Sequence, residues 1–180
     1  MRHLRSLCIV IALLLGEVIS FAGNIPDMKF RRFDTRDGLS SSQVNCIFKD
    51  SRGAVWIGTA YGLNRYDGYR VKTYYSNRLD STTMRDNYVE TIYEGHDGKL
   101  WIKHGMNYSV FDPVTERFQR NIQDELVKFG IPRKGIDRIY IDKDKNYWAK
   151  LYDEGVFYYN PKSKKLTRFR YGYDFDKNEI

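Results

Sequence analysis

Val44-Asn45-Cys46-Ile47-Phe48-Lys49-Asp50-Ser51-Arg52-Gly53-Ala54-Val55-Trp56-Ile57-Gly58-Thr59 sets two apolar, β-branched runs around a short polar turn. Val44 to Phe48 reads as a buried innermost strand and Ala54 to Thr59 as its neighbour. Asp50-Ser51-Arg52-Gly53 is the tight turn between them, with Gly53 free to take a positive φ. Ala60 and Tyr61 loop to a third strand, Gly62 to Tyr66. Asp67-Gly68 then turns the chain into an outermost strand, Tyr69 to Tyr75, in which apolar and charged positions alternate.

The tryptophan of this stretch recurs. Trp56, Trp101 and Trp148 lie 45 and 47 residues apart, and matched columns accompany each of them. Nine residues earlier stand Ile47, Ile92 and Ile139; twelve earlier stand Val44, Val89 and Ile136; seventeen earlier stand Leu39, Met84 and Ile131. Ten or eleven residues later come Tyr66-Asp67-Gly68, Phe111-Asp112-Pro113 and Tyr159-Asn160-Pro161. The second copy runs from Tyr88 to about Ile122 with Asp97-Gly98 at its first turn, and the third from Ile136 to about Tyr171. In the third, Asn146 is expected to take the left-handed place that glycine holds elsewhere.

Four-stranded units at ~40–50 residue spacing, each with a tryptophan on a strand, are what β-propeller blades require. The expected fold is therefore all-β, an incomplete β-propeller of about three four-stranded antiparallel blades plus an orphan N-terminal outer strand over residues 28–35. A sandwich of twelve unrelated strands leaves the recurring columns unexplained. The expected division is a signal peptide (1–22), a lead-in (23–43), blade 1 (44–75), linker and blade 2 (76–122), linker and blade 3 (123–171) and a truncated linker (172–180).

Residues 1–22 follow the layout of a secretory signal: Arg2 and Arg5, an apolar run from Leu7 to Gly16, and Ser20-Phe21-Ala22 before Gly23. An uncleaved anchor is the other reading. Without them the chain keeps 28 basic and 22 acidic residues, a net charge of +6, and Cys46 alone of its two cysteines. A lone thiol makes no internal disulfide and reads as a small buried apolar residue. Export and the scattering of basic residues argue against a nucleic-acid partner. No cofactor motif or Gly-rich phosphate loop is present.

Asp37-Gly38-Leu39-Ser40-Ser41-Ser42-Gln43-Val44, Ile47 to Gly53, Trp56-Ile57-Gly58-Thr59 and Gly62-Leu63-Asn64-Arg65-Tyr66-Asp67-Gly68 together resemble the first blade of a two-component regulator propeller. The resemblance covers residues 28 to about 171. Later copies depart from it: Lys103-His104 and Lys150-Leu151 replace Gly58-Thr59, and Asn107 stands where Gly62 stood. Membership of that family implies the periplasmic sensor region of a hybrid two-component system of gut Bacteroidota. A whole receptor of this kind has two seven-bladed propellers, a β-sandwich linker, one membrane helix, then histidine kinase, receiver and DNA-binding modules. None of those follows the third copy here, so the chain is expected to be an N-terminal fragment.

The chemistry the residues carry is that of binding. Asp142-Lys143-Asp144-Lys145-Asn146 opens like a calcium loop, but Tyr147 and Asp153 stand where Gly and Glu belong, so a solvated turn is expected and no metal. His96 and His104 have no metal-ligand or nucleophile context. Trp56, Trp101 and Trp148 read as interblade core. Loops joining second to third strands, and outermost to next innermost, should line one rim. The candidate ligand residues there are Tyr61, Arg85, His104, Asn107, Tyr152 and Asp153, with Asn87 and Arg133 nearby. Aromatic faces beside amides and charges suit carbohydrate hydroxyls, and the positive charge favours an acidic glycan.

The function expected from sequence is thus a periplasmic ligand-sensing propeller segment, oligosaccharide-responsive and not itself an enzyme. Its expected partners are the remaining blades of a receptor that is inner-membrane-attached and homodimeric when full length. Two other readings stand beside it: a fragment of a secreted propeller enzyme, a lyase or glycosidase, and a short interaction protein that self-assembles through its open ends.

Overall fold

β1 (Val44–Lys49) and β2 (Val55–Thr59) pair antiparallel with Phe48 opposite Trp56, and Asp50 organises the turn between them. One carboxylate oxygen accepts the Arg52 and Ala54 backbone N–H groups at 3.0 and 2.9 Å, and the other accepts the Trp56 indole N–H at 2.8 Å. Gly53 closes the turn at φ +92°, a conformation open to glycine at little cost. One side chain thus shapes the hairpin and aims the tryptophan. β3 (Gly62–Tyr66) and β4 (Val71–Tyr74) complete a meander in the order β1-β2-β3-β4.

The same meander is built twice more in this computed structural model, which describes residues 30–170. β5 (Thr91–Glu94), β6 (Leu100–His104), β7 (Asn107–Asp112) and β8 (Arg117–Gln119) form the second sheet. β9 (Ile136–Ile141), β10 (Tyr147–Leu151), β11 (Gly155–Asn160) and β12 (Lys165–Phe169) form the third. The linker between them carries a short helix, α1 (Gln123–Lys128), which buries Leu126. That helix is an addition to the all-strand expectation. The third turn also differs from expectation: Lys145, not Asn146, takes the positive φ, +66°. Lys145 is the residue aligned with Gly53, while the Asn146 side chain donates to Asp142 at 3.0 Å.

The innermost strands β1, β5 and β9 lie side by side, and the sheets wedge face to face, as successive propeller blades do. The first seam joins Trp56 and Leu63 to Ile92, Leu100, Ile102 and Phe111, with Met84 and Val89 of the linker sealing it. Trp56 meets Phe111 edge-on at 5.3 Å. The second seam joins Trp101, Tyr108 and Val110 to Ile139, Ile141, Tyr147, Ala149, Leu151 and Phe157, closed by Ile122, Leu126 and Ile131. Trp101 meets Tyr147 at 5.5 Å.

Polar ties cross the seams as well. Glu94, buried at the end of β5, accepts from the Ser51 hydroxyl at 2.6 Å and the Lys145 ammonium at 2.5 Å, linking the first turns of all three blades. Burial alone would raise that carboxyl; the Lys145 and Ser51 donors outweigh it and hold Glu94 below the usual range. At the outer edge Glu116 accepts from Lys72 and from the Tyr74 hydroxyl. Burial, with that carboxylate beside it, pushes the Tyr74 phenol up to about 12.

The columns do not all share one environment. Ile92 and Ile139 are buried, but Ile47 is 68% exposed, because it sits on the blade 1 face opposite the first seam. The outer part of that face is covered by the lead-in. Leu39 is buried there, Ser40 N–H donates to Asn64 at 2.9 Å, and Phe33 packs on Tyr66 at 5.1 Å. Residues 30–34 pair with no strand, and Thr35–Asp37 forms a 3-10 turn capped by Asp34. The signal peptide, residues 23–29 and the segment 171–180 lie outside the described residues.

Candidate ligand-binding rim

The linker from blade 1 to blade 2 folds over the ends of both sheets and is held there by polar contacts. Gly62 N–H donates to the Asn87 carbonyl at 2.7 Å, Ser76 N–H to the Asn87 side chain at 2.7 Å, and Arg85 N–H to the Ser109 hydroxyl at 3.1 Å. Arg120 grips the same linker from below, donating to the carbonyls of Asn77, Asp80 and Thr83 at 2.7–2.8 Å. Its guanidinium is therefore structural. Arg85 carries no such duty for its side chain among the described residues, and it is exposed.

Two cavities open on this rim. One, of about 350 Å³, is lined by Tyr61, Ser76, Arg78, Arg85, Asp86, Asn87 and Tyr88. The other, of about 250 Å³, is lined by Arg85, Met106, Asn107, Arg120, Asn121 and Gln123 among others. Arg85 belongs to both. Of the residues expected from sequence, the structure thus brings Tyr61, Arg85 and Asn107 into one continuous surface, with Asn87 beside them. Tyr61 is braced by Tyr75 at 5.9 Å between ring centres.

His104 lies beneath that surface rather than on it, at 4% exposure. Its Nδ1 sits 2.9 Å from the Tyr88 carbonyl. A carbonyl only accepts, so Nδ1 holds the proton and Nε2 is a bare acceptor, buried without a partner among the described residues. Burial pushes the His104 pKa down from 6.5, only partly offset by the Tyr88 carbonyl. An imidazole with a depressed folded pKa favours the native state above pH 6.5 and loses that advantage as pH falls toward the folded value. Replacing His104 by Leu, the residue blade 3 carries at this column, is expected to flatten the fall in stability between pH 6.5 and 5. Denaturant midpoints of wild type and variant across that range check this; parallel curves would refute it.

Tyr152 and Asp153 stand apart. Tyr152 N–H donates to the Gly135 carbonyl at 3.0 Å with its ring against Gly135, and Asp153 holds the β10–β11 turn at φ +59°. Neither lines the two cavities. Arg133 pairs with Asp124 at 2.6 Å on the other linker. Sequence reasoning missed Arg78, Asp86 and Tyr88, whose signal was only that they lie in a polar segment between two repeats. The Asp142 carboxylate is occupied as a turn former, accepting from the Asp144 and Asn146 backbones and the Trp148 indole. Among the described residues no group of three His, Cys, Asp or Glu side chains converges as metal ligands would.

Residues 38–61 match the two component regulator propeller family. A 66-residue stretch is 41% identical to histidine kinase P4 of Formosa agariphila, covering 37% of this chain and 5% of that protein. Among solved structures, the extracellular domain of a hybrid two component system from B. thetaiotaomicron is similar over 78% of this chain and 26% of its own, at 17% identity and a TM-score of 0.36. A virginiamycin B lyase from Staphylococcus aureus is similar over 83% of this chain and 47% of its own, at 18% identity and a TM-score of 0.48. The chain spans one twentieth of the kinase and at most about half of these structures. The stretch that matches the family sits on blade 1, where Asp50, Gly53 and Trp56 make the turn that blades 2 and 3 rebuild with other residues, and it is this blade that is similar to a two component regulator propeller.

Proposed function

We propose that these blades are part of the ligand-sensing region of a hybrid two-component histidine kinase, placed outside the cytoplasmic membrane, and that their rim engages an oligosaccharide. The observation that carries this reading is the sharing of Arg85 between two adjoining cavities built from blade 1, the linker and blade 2. Tyrosine faces at 61 and 88 suit the apolar face of a sugar ring, and the amides of Asn87 and Asn107 and the guanidinium of Arg85 suit its hydroxyls and carboxylates. The remaining blades and a second receptor copy complete the unit that responds. A ligand acts on it through different affinity for two arrangements of the dimer.

The test is calorimetric titration of a glycan panel, neutral and acidic, into the complete receptor. Tyr61→Ala and Arg85→Ala are each expected to weaken the responding glycan about 10–100-fold, the scale of one stacked ring or one charged hydrogen bond. Unchanged affinity in both variants removes the rim from the reading. A panel with no binder removes the sugar.

A further inference from the structure

The columns that hold Asn45, Cys46, Phe48 and Gly58 in blade 1 hold Glu90, Thr91, Tyr93 and Lys103 in blade 2 and Asp137, Arg138, Tyr140 and Lys150 in blade 3. In blade 1 they leave no room. A Cβ on Gly58 would lie 2.5 Å from both the Cys46 sulfur and Val89, so the inner end of the first seam is closed by close packing. In blades 2 and 3 a lysine replaces that glycine and pairs with an acid on the neighbouring strand: Lys103 with Glu90, and Lys150 with Asp137 at 2.6 Å. The second seam therefore does not close. A cavity of about 200 Å³ remains between β5, β6 and β9, lined by Glu90, Thr91, Tyr93, Lys103, Tyr108 and Arg138 with Ile139.

The balance of donors and acceptors in this cavity is uneven. Glu90 and Lys103 neutralise each other. The Tyr108 hydroxyl receives the Ile139 N–H at 2.9 Å and is spent on the backbone. Three groups keep their capacity among the described residues: the Thr91 and Tyr93 hydroxyls of blade 2 and the Arg138 guanidinium of blade 3, which forms no hydrogen bond or ion pair there. Arg138 lines this cavity beside Thr91 and Tyr93 and also borders the open face of blade 3, with Asp137, Tyr140, Trp148 and Lys150. The net charge of the lining is +1, with donors in excess.

We propose that this cavity is a second binding site, separate from the rim, that takes the carboxylate of a small hydroxylated molecule, with Arg138 as its principal anchor and Thr91 and Tyr93 as further donors. A planar guanidinium matches the two oxygens of a carboxylate, and one negative charge matches the surplus of the lining. The volume is below the ~300–1,000 Å³ of drug-sized sites, so it admits about one ring. Glu90, beside Lys103, can accept from a ligand hydroxyl. Because Arg138 stands on one blade and Thr91 and Tyr93 on the preceding one, an occupant ties two blades together next to the hub, where the first seam is tied by packing at Gly58 and by the Asn45 amide donating to the Val89 carbonyl at 2.9 Å.

Glucuronate, a one-ring carboxylate, and glucose, its uncharged counterpart, are the probes. Titrated at low salt into the 180-residue chain and followed by calorimetry and melting temperature, glucuronate is expected to bind and raise the melting temperature, and glucose to do neither. Arg138→Gln is expected to weaken glucuronate about 10–100-fold, the range of a charge-assisted hydrogen bond. Since Arg138 is exposed, the variant should melt like wild type without ligand. Thr91→Val, on the facing blade, is expected to weaken it by a smaller factor. Arg85→Ala, at the rim, should leave it unchanged, which separates this site from the proposed sensing surface. Equal binding of glucose, undiminished binding in Arg138→Gln, a response to inorganic sulfate but not glucuronate, or loss of binding in Arg85→Ala overturns the proposal.

Discussion

Gly95→Asp is expected to destabilise the second seam by about 1–3 kcal/mol, and Tyr147→Leu to recover much of that loss when the two are combined. The position of Gly95 is the one at which blades 1 and 3 carry Asp50 and Asp142, the acids that receive a tryptophan indole N–H. All three turns have the same backbone closure: Gly53 to Asp50, Gly98 to Gly95 and Lys145 to Asp142, at 3.0–3.1 Å. Blade 2 has the turn without the acid. Its tryptophan, Trp101, donates instead to the hydroxyl of Tyr147, which reaches in from blade 3. The same hydroxyl also accepts the His96 N–H at 3.1 Å, and a Cβ on Gly95 would land on it.

The arrangement explains the sign of each variant. Aspartate at 95 overfills a space that the neighbouring blade already occupies. Tyr147→Leu alone installs the residue found at that column in blade 2, Leu100, but strands the Trp101 indole, at about 1–3 kcal/mol for a buried donor left unpaired. Together the substitutions restore the acid and remove the intruding phenol, so the double variant should be more stable than the sum of the singles predicts. A denaturant-unfolding double-mutant cycle measures this, and strict additivity would contradict it.

Trp56→Ala should cost about 3–5 kcal/mol, in the range for a large aromatic removed from a packed core, while Trp148→Ala should cost clearly less. Trp56 is fully buried, packed on Tyr74 and Phe111, with Arg65 over its ring and its N–H on Asp50. Its removal opens a cavity between two sheets and frees a buried carboxylate. Trp148 occupies the same column, yet it is only half-buried, and its ring partners, Tyr158 and Phe169, belong to its own blade. Unfolding midpoints of the two variants give the comparison, and equal losses would mean that the seam is not what holds the tryptophan.

The architecture was legible because its causes are local. A left-handed residue closing the turn and an apolar residue seventeen positions before the tryptophan act within one blade or its linker, so they recur as columns in all three copies, and the acid six residues before the tryptophan recurs in blades 1 and 3. Leu39, Met84 and Ile131 are all buried as that column implies. The rim was partly legible, since loops at one end of a meander must fall together; yet Tyr152 and Asp153 share that end by connectivity and line neither cavity. His104 reads as exposed loop chemistry in the sequence and is a buried strand residue in the structure, because the linker carrying Tyr88 folds over it.

What the one-dimensional pattern determined about this protein is the blade: its period, its four strands, its turns and the tryptophan each turn aims. Tertiary structure alone decided what passes between blades. Tyr147 stands in for an acid missing 52 residues earlier, and Glu94 joins turns on either side of its own blade. The physical reason is that turn chemistry depends on neighbours a few bonds away, whereas a seam depends on the wedge angle and packing of two whole sheets, which no single column contains.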